Sequence, residues 1–118
     1  MTKASTIKKN HEFRRAYHRG KTATSHRVAV YVFRNKEGEN RLGLTVSKKI
    51  GKAVQRNRAK RLMREAYRFL ENRVKGGLDV VIVARTRCVY STAGEVCADL
   101  ESALLSCGAL FDREEEAQ

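Results

Sequence analysis

Asn57, Arg61, Arg64 and Arg68 stand at i, i+4, i+7 and i+11, the spacing that lines side chains up along one side of an α-helix. Arg58 and Lys60 flank that line, one on each side. Cations at successive turns repel one another by about a few tenths of a kcal/mol per i,i+4 pair, so a helix stabilised for its own sake places Glu among them. Only Glu65 and Glu71 offer relief here, and both stand to the side. A guanidinium fork bridges two phosphate oxygens, where Lys offers a point charge. An Asn among the arginines can hydrogen-bond a sugar hydroxyl or a base edge. The chemistry such a row suits is contact with nucleic acid, and periodicity does not separate RNA from DNA.

The charge of the whole chain agrees. Its 118 residues carry 25 Lys and Arg against 13 Asp and Glu, a formal net charge of +12. The excess lies wholly before residue 79, where 22 basic and 5 acidic residues give +17 against −5 for the remainder, and no acid occurs between Glu39 and Glu65. Charge concentrated in this way is retained where a polyanion neutralises it. Catalytic signals are lacking. His11, His18 and His26 are scattered over one helix and its exit, with no carboxylate cluster to hold a two-metal site. Cys88, Cys97 and Cys107 are widely spaced and lack the CxxC or His pairing of a zinc site, so they read as small core residues. We expect no catalytic residue and no metal ligand set. Phe13, Tyr17 and Tyr31 allow two readings: core aromatics, or rings lining a groove that stacks unpaired bases.

The elements that must position these groups follow from periodicity. Ala59, Leu62, Met63, Ala66, Tyr67, Leu70 and Val74 fall within an arc of roughly 140° on the side opposite the arginines. A long helix is therefore expected from about Val54 to Val74, ending at Gly76-Gly77. A short first helix begins at Asn10 and stops at Gly20, with Phe13, Ala16 and Tyr17 on one face. Val28 to Phe33 and Arg41 to Ser47 read as strands, joined through Asn35, Gly38 and Asn40 as an antiparallel hairpin. Asp79 to Arg85 is a continuous apolar strand, and a last helix starts near Thr92, capped with Glu95. The expected order is α-β-β-α-β-α in an α+β sandwich with a mainly antiparallel sheet, one domain over residues 1–111. The acidic tail over 112–118 is expected to fray and is given no role. No apolar run approaches the roughly 20 residues that span a bilayer, and no secretory signal precedes the first helix, so a cytoplasmic protein is expected.

The stretch from Arg41 through Lys48-Lys49-Ile50-Gly51-Lys52 to Arg56-Asn57-Arg58-Ala59-Lys60-Arg61-Leu62-Met63-Arg64-Glu65 closely resembles the signature of the bacterial ribonuclease P protein subunit family. The order and spacing of the other elements match over roughly residues 7–108. The resemblance implies an α/β sandwich with a left-handed β-α-β crossover around the Arg-rich helix. It implies two RNA partners, a catalytic RNA subunit and precursor tRNA, with Mg²⁺ held mainly by the RNA. No membrane contact and no obligate protein partner are expected. By position, Arg56, Asn57, Arg58, Lys60, Arg61 and Arg64 match the motif facing the catalytic RNA, with Lys49 and Lys52 in the basic loop entering it. Phe13, Tyr17 and Tyr31, and less closely Ala29 and Thr45, match the cleft that holds the single-stranded 5′ leader. A ribosomal RNA-binding protein on a similar scaffold and a DNA-binding protein using the long helix are the rival readings.

Overall fold

Val80, Val81 and Ile82 are consecutive and each fully buried, so the strand that carries them needs cover on both faces and both edges. It has all four. The computed structural model describes residues 4–111, and the tail over 112–118 lies outside them. Its elements are β1 (Ser5–Thr6), α1 (Asn10–Arg19), β2 (Lys21–Thr24), β3 (Val28–Arg34), β4 (Arg41–Thr45), α2 (Ala53–Leu70), β5 (Leu78–Ala84) and α3 (Ala93–Ser106). One five-stranded sheet has the order β1-β4-β5-β3-β2, with β5 at its centre.

The expected hairpin of β3 with β4 does not form. β5 inserts between them, antiparallel to β3 and parallel to β4. The asparagines of the intervening loop explain this. Asn35 and Asn40 are buried, and both bind the start of β5, while Asn35 also closes the local turn by accepting from the Glu37 N–H at 2.8 Å. Asn35 donates from Nδ2 to Asp79 Oδ1 at 2.9 Å, and Asn40 Oδ1 accepts from the Leu78 N–H at 3.0 Å. The sheet is mixed, because β1 also runs parallel to β4 while β2 is antiparallel to β3. β1 and β2 extend the expected order at its two edges. Both are short, polar and largely exposed, as edge strands commonly are.

β4, α2 and β5 make the β-α-β crossover, with parallel adjacent strands. α2 and α3 pack on one sheet face over Val28, Val30, Val32, Val80 and Ile82, which form the main core. α1 lies on the other face, where Ile7, Ala16 and Val81 centre a smaller cluster with Phe13, Tyr17, Tyr31, Phe33 and Val83 around it. α2 stops at Leu70 and continues as a 3-10 turn, Glu71–Arg73, so the helix ends before Val74. The expected cap of α3 is present: Thr92 Oγ1 accepts from Glu95 N–H at 3.1 Å and Glu95 Oε1 accepts from Thr92 N–H at 2.9 Å. Cys88 and Cys107 are buried and Cys97 partly so, as core thiols; burial pushes the Cys88 thiol up to about 11.

Candidate nucleic-acid interface

The apolar stripe of α2 is buried from Ala59 to Leu70, which turns the opposite side of the helix to solvent. Asn57, Lys60, Arg61, Arg64 and Arg68 are all exposed there. Among the described residues none of Lys60, Arg61, Arg64 or Arg68 pairs with a carboxylate, although Arg15, Arg27, Arg41 and Arg73 all do. Four cations therefore stand unneutralised along one helix face. Repulsion between them is a small destabilisation that an external polyanion would reverse.

Two members of the motif are used differently. Arg58 reaches across to the segment after β5, donating from Nε to Val89 O at 2.9 Å and from Nη2 to Ser91 O at 3.4 Å. Arg56 donates to Gly51 O at 3.3 Å and so braces the loop that enters the helix. In that loop Lys48–Ile50 form a 3-10 turn, and Gly51 adopts φ +148°, which a side chain would strain. The Gln55 side chain caps the helix start, accepting from Lys52 N–H at 2.7 Å. Lys49 and Lys52 are exposed on this braced corner, next to the first turn of α2.

A second surface lies on the opposite sheet face. The register sets Gly43, Val81 and Tyr31 in one row across β4, β5 and β3, and Thr45, Val83 and Ala29 in the next. α1 lays Phe13 and Tyr17 over these rows. The Tyr17 ring meets Tyr31 edge-on, with centroids 4.9 Å apart, and Phe13 lies 6.4 Å from Tyr17. Tyr17 Oη and Thr45 Oγ1 share a hydrogen bond of 2.8 Å. Phe13, Tyr17, Tyr31, Ala29 and Thr45 are all half-buried, so these rings are neither core nor fully exposed. Phe13, Tyr17 and Thr45 line an open groove of about 400 Å³ together with Asn10 and Arg14.

Three contributors escape a reading of the sequence. Gly43 gives Phe13 its place, since a Cβ there would stand 2.6 Å from the Phe13 ring. Val83 stands between Thr45 and Ala29 in the register and packs with the cluster under α1, a placement hidden in the sequence by the run of apolar residues around it. The third is a buried ion cluster that fixes α1. Asp79, with no exposed surface, accepts from Arg41 Nε at 2.7 Å and Nη2 at 2.8 Å, and from Arg15 of α1 at 3.2 Å. Glu12, also on α1, pairs with Arg41 from the other side. Burial pushes the Asp79 carboxyl up, but hydrogen bonds from Arg41 and Asn35 and the Arg41 charge outweigh it and hold it below the usual range. Burial likewise opposes, and the Lys9 N–H and Arg41 outweigh it, in lowering the Glu12 carboxyl. Arg41 is held firmly charged by its bonds to Asp79. The signal for this cluster was an Asp opening an apolar strand, whose partners are far away in sequence.

Among the described residues no three His, Cys, Asp or Glu are grouped as a metal ligand set, and no helix is long and apolar enough to cross a membrane.

Comparison with known proteins identifies the family. The family model described as Ribonuclease P matches residues 1–108. The ribonuclease P protein component of Alkaliphilus metalliredigens is 42% identical over 105 residues, covering 89% of this chain and 91% of its own. That of Clostridium botulinum is 44% identical over 105 residues, covering 88% and 91%. The solved RNase P protein of Staphylococcus aureus superposes with a TM-score of 0.81 at 34% identity, over 92% of this chain and all (100%) of that one. The RNase P protein of Thermotoga maritima gives 0.74 at 25% identity, over 83% and 93%. With its Arg-rich crossover helix, its mixed sheet and a match over nearly its whole length, the chain belongs to the ribonuclease P protein family.

Proposed function

We propose that the protein is the RNA-binding subunit of a ribonuclease P holoenzyme that removes the 5′ leader of precursor tRNA. In this reading α2 docks through Asn57, Lys60, Arg61, Arg64 and Arg68 on folded catalytic RNA, with Lys49 and Lys52 extending the contact. The groove between α1 and the sheet receives the single-stranded leader, whose bases stack on Phe13 and Tyr17. The carrying observation is the row of exposed α2 cations without carboxylate partners among the described residues, set on one helix face, while Arg15, Arg27, Arg41 and Arg73 elsewhere are paired.

The chain contributes positioning and charge neutralisation, which accelerate a reaction without a catalytic side chain of their own. Hydrolysis is assigned to the RNA, with Mg²⁺ held mainly by it. The complex is placed in the cytoplasm and needs no further protein. The test is reconstitution: the protein is mixed with its cognate catalytic RNA at low Mg²⁺ and leader cleavage is followed. Restored cleavage is expected, and failure to stimulate the RNA defeats the reading. Arg61→Ala and Arg64→Ala should each lower the salt dependence of RNA binding by about one ion. Phe13→Ala should weaken the preference for leader-bearing over mature tRNA while leaving the salt slope unchanged.

A further inference from the structure

Between β5 and α3 the chain forms a 3-10 turn, Thr86–Tyr90, that is fastened from several sides. Cys88 and Val89 are buried in the main core. Arg58 binds the carbonyls of Val89 and Ser91, the residues on either side of Tyr90. Ser91 Oγ donates to Arg87 O at 2.7 Å and accepts from Arg27 Nε at 2.8 Å. On this rigid support Tyr90 is 77% exposed. Its ring makes no aromatic or cation–π contact with the described residues. Residues three apart in a 3-10 turn stand on the same side, so the exposed Arg87 lies beside it.

A single apolar residue at a surface is ordinary. A large ring held out by a turn that an arginine of α2 brackets is not. A pre-ordered aromatic loses little freedom when a partner arrives, so its contact area converts efficiently into affinity. The surroundings select the partner. Across residues 53–70 and 84–94, Glu65 is the one acidic residue, against the arginines of α2 and Arg85 and Arg87. A protein surface would need an unusually acidic complement, whereas RNA offers phosphates and flat bases together.

We propose that Tyr90 is a stacking platform for an unpaired base of the RNA that α2 grips, with Arg87 on the adjoining phosphate. Arg58 is the positioning residue that ties the platform to α2. The inference rests on the RNA-binding reading above and extends it to a segment outside the motif helix and the groove.

The chain has no Trp, so Tyr90→Trp places a lone indole on the platform. Titrated with the cognate catalytic RNA, this variant should show quenched emission and reduced access of acrylamide to the ring. Tyr90→Ala should bind that RNA about 5- to 100-fold more weakly, with an unchanged salt slope and an unchanged melting temperature. Tyr90→Phe should keep most of the affinity, because the ring remains. The proposal falls if Tyr90→Ala binds at wild-type strength, or if the indole stays as open to acrylamide in the RNA complex as in the free protein. Shielding of the indole by an added protein and not by RNA overturns it as well. Loss of the whole RNA-binding reading looks different: Arg61→Ala and Arg64→Ala would then leave RNA affinity and its salt slope untouched.

Discussion

Arginine is used in opposite ways on the two sides of the sheet. Around β5 and α1, Arg41 and Arg15 converge on a carboxylate with no exposed surface, and Glu12 closes the cluster from α1. Along α2, Arg61, Arg64 and Arg68 are exposed and form no ion pair with a carboxylate among the described residues. The same side chain is a structural clamp in one place and an open valence in the other. Burial decides which. A buried charge must find its partner within the fold, while an exposed one can wait for a partner from outside. The clamp also serves the groove, because it holds the helix that carries Phe13 and Tyr17.

The sharpest way to break this contrast is to remove one arginine from each side. Arg41→Ala leaves Asp79 buried with only Arg15 as a cationic partner, and should destabilise the fold by about 3–5 kcal/mol in urea unfolding. Arg64→Ala should change stability by no more than about 0.5 kcal/mol, since nothing in the chain depends on its charge. Comparable losses at the two positions would mean that the α2 arginines are structural after all.

Acid sharpens the same comparison with a smaller effect. Asp79 and Glu12 both have carboxyl groups held below their ordinary values in the folded chain. Their contribution is complete above the unfolded carboxylate pKa of roughly 4, and is lost as pH falls through the lower folded values. Stability followed from pH 6 down to pH 2 should therefore drop on the acid side. Asp79→Asn should start less stable and show a shallower drop, with Glu12 supplying the remainder. An acid limb as steep in the variant as in the parent would remove Asp79 as its source.

How far these features could be read beforehand depended on their range in sequence. The α2 face was legible because both its stripes repeat within the helix, and the Thr92–Glu95 cap because its two halves are three residues apart. The groove aromatics were locatable, but whether they were core or lining needed the sheet register that puts Gly43 and Thr45 beneath α1. The hairpin expectation failed for an identifiable reason. Asn35, Gly38 and Asn40 have the composition of a turn, yet the two asparagines spend their amides on Asp79, Glu39 and Leu78, opening a slot for β5. β2 was missed because Lys-Thr-Ala-Thr has no apolar alternation, which an exposed edge strand does not require. Arg58, which flanks the row, is exposed as its helical angle suggests, but its bonds to the segment beyond β5 were not legible, because helical angle says nothing about a loop arriving from there.

Within the groove, a finer substitution separates ring from hydroxyl. Tyr17 Oη and Thr45 Oγ1 are partners at 2.8 Å, and this bond links α1 to the end of β4. Tyr17→Phe removes it and leaves the edge-on contact with Tyr31 intact. The fold should lose about 1 kcal/mol, the net worth of one such hydrogen bond, with part of that offset because Thr45 is half-buried and can turn to water. Stacking needs the ring face and not the phenol, so affinity for leader-bearing RNA should stay within about twofold of the parent. Calorimetric melting and a leader-binding titration on the same preparation read the two effects apart. A large loss of leader affinity with little change in melting would assign the groove's grip to the hydroxyl pair, and the contrast would then lie between two kinds of polar contact instead of between rings and charges.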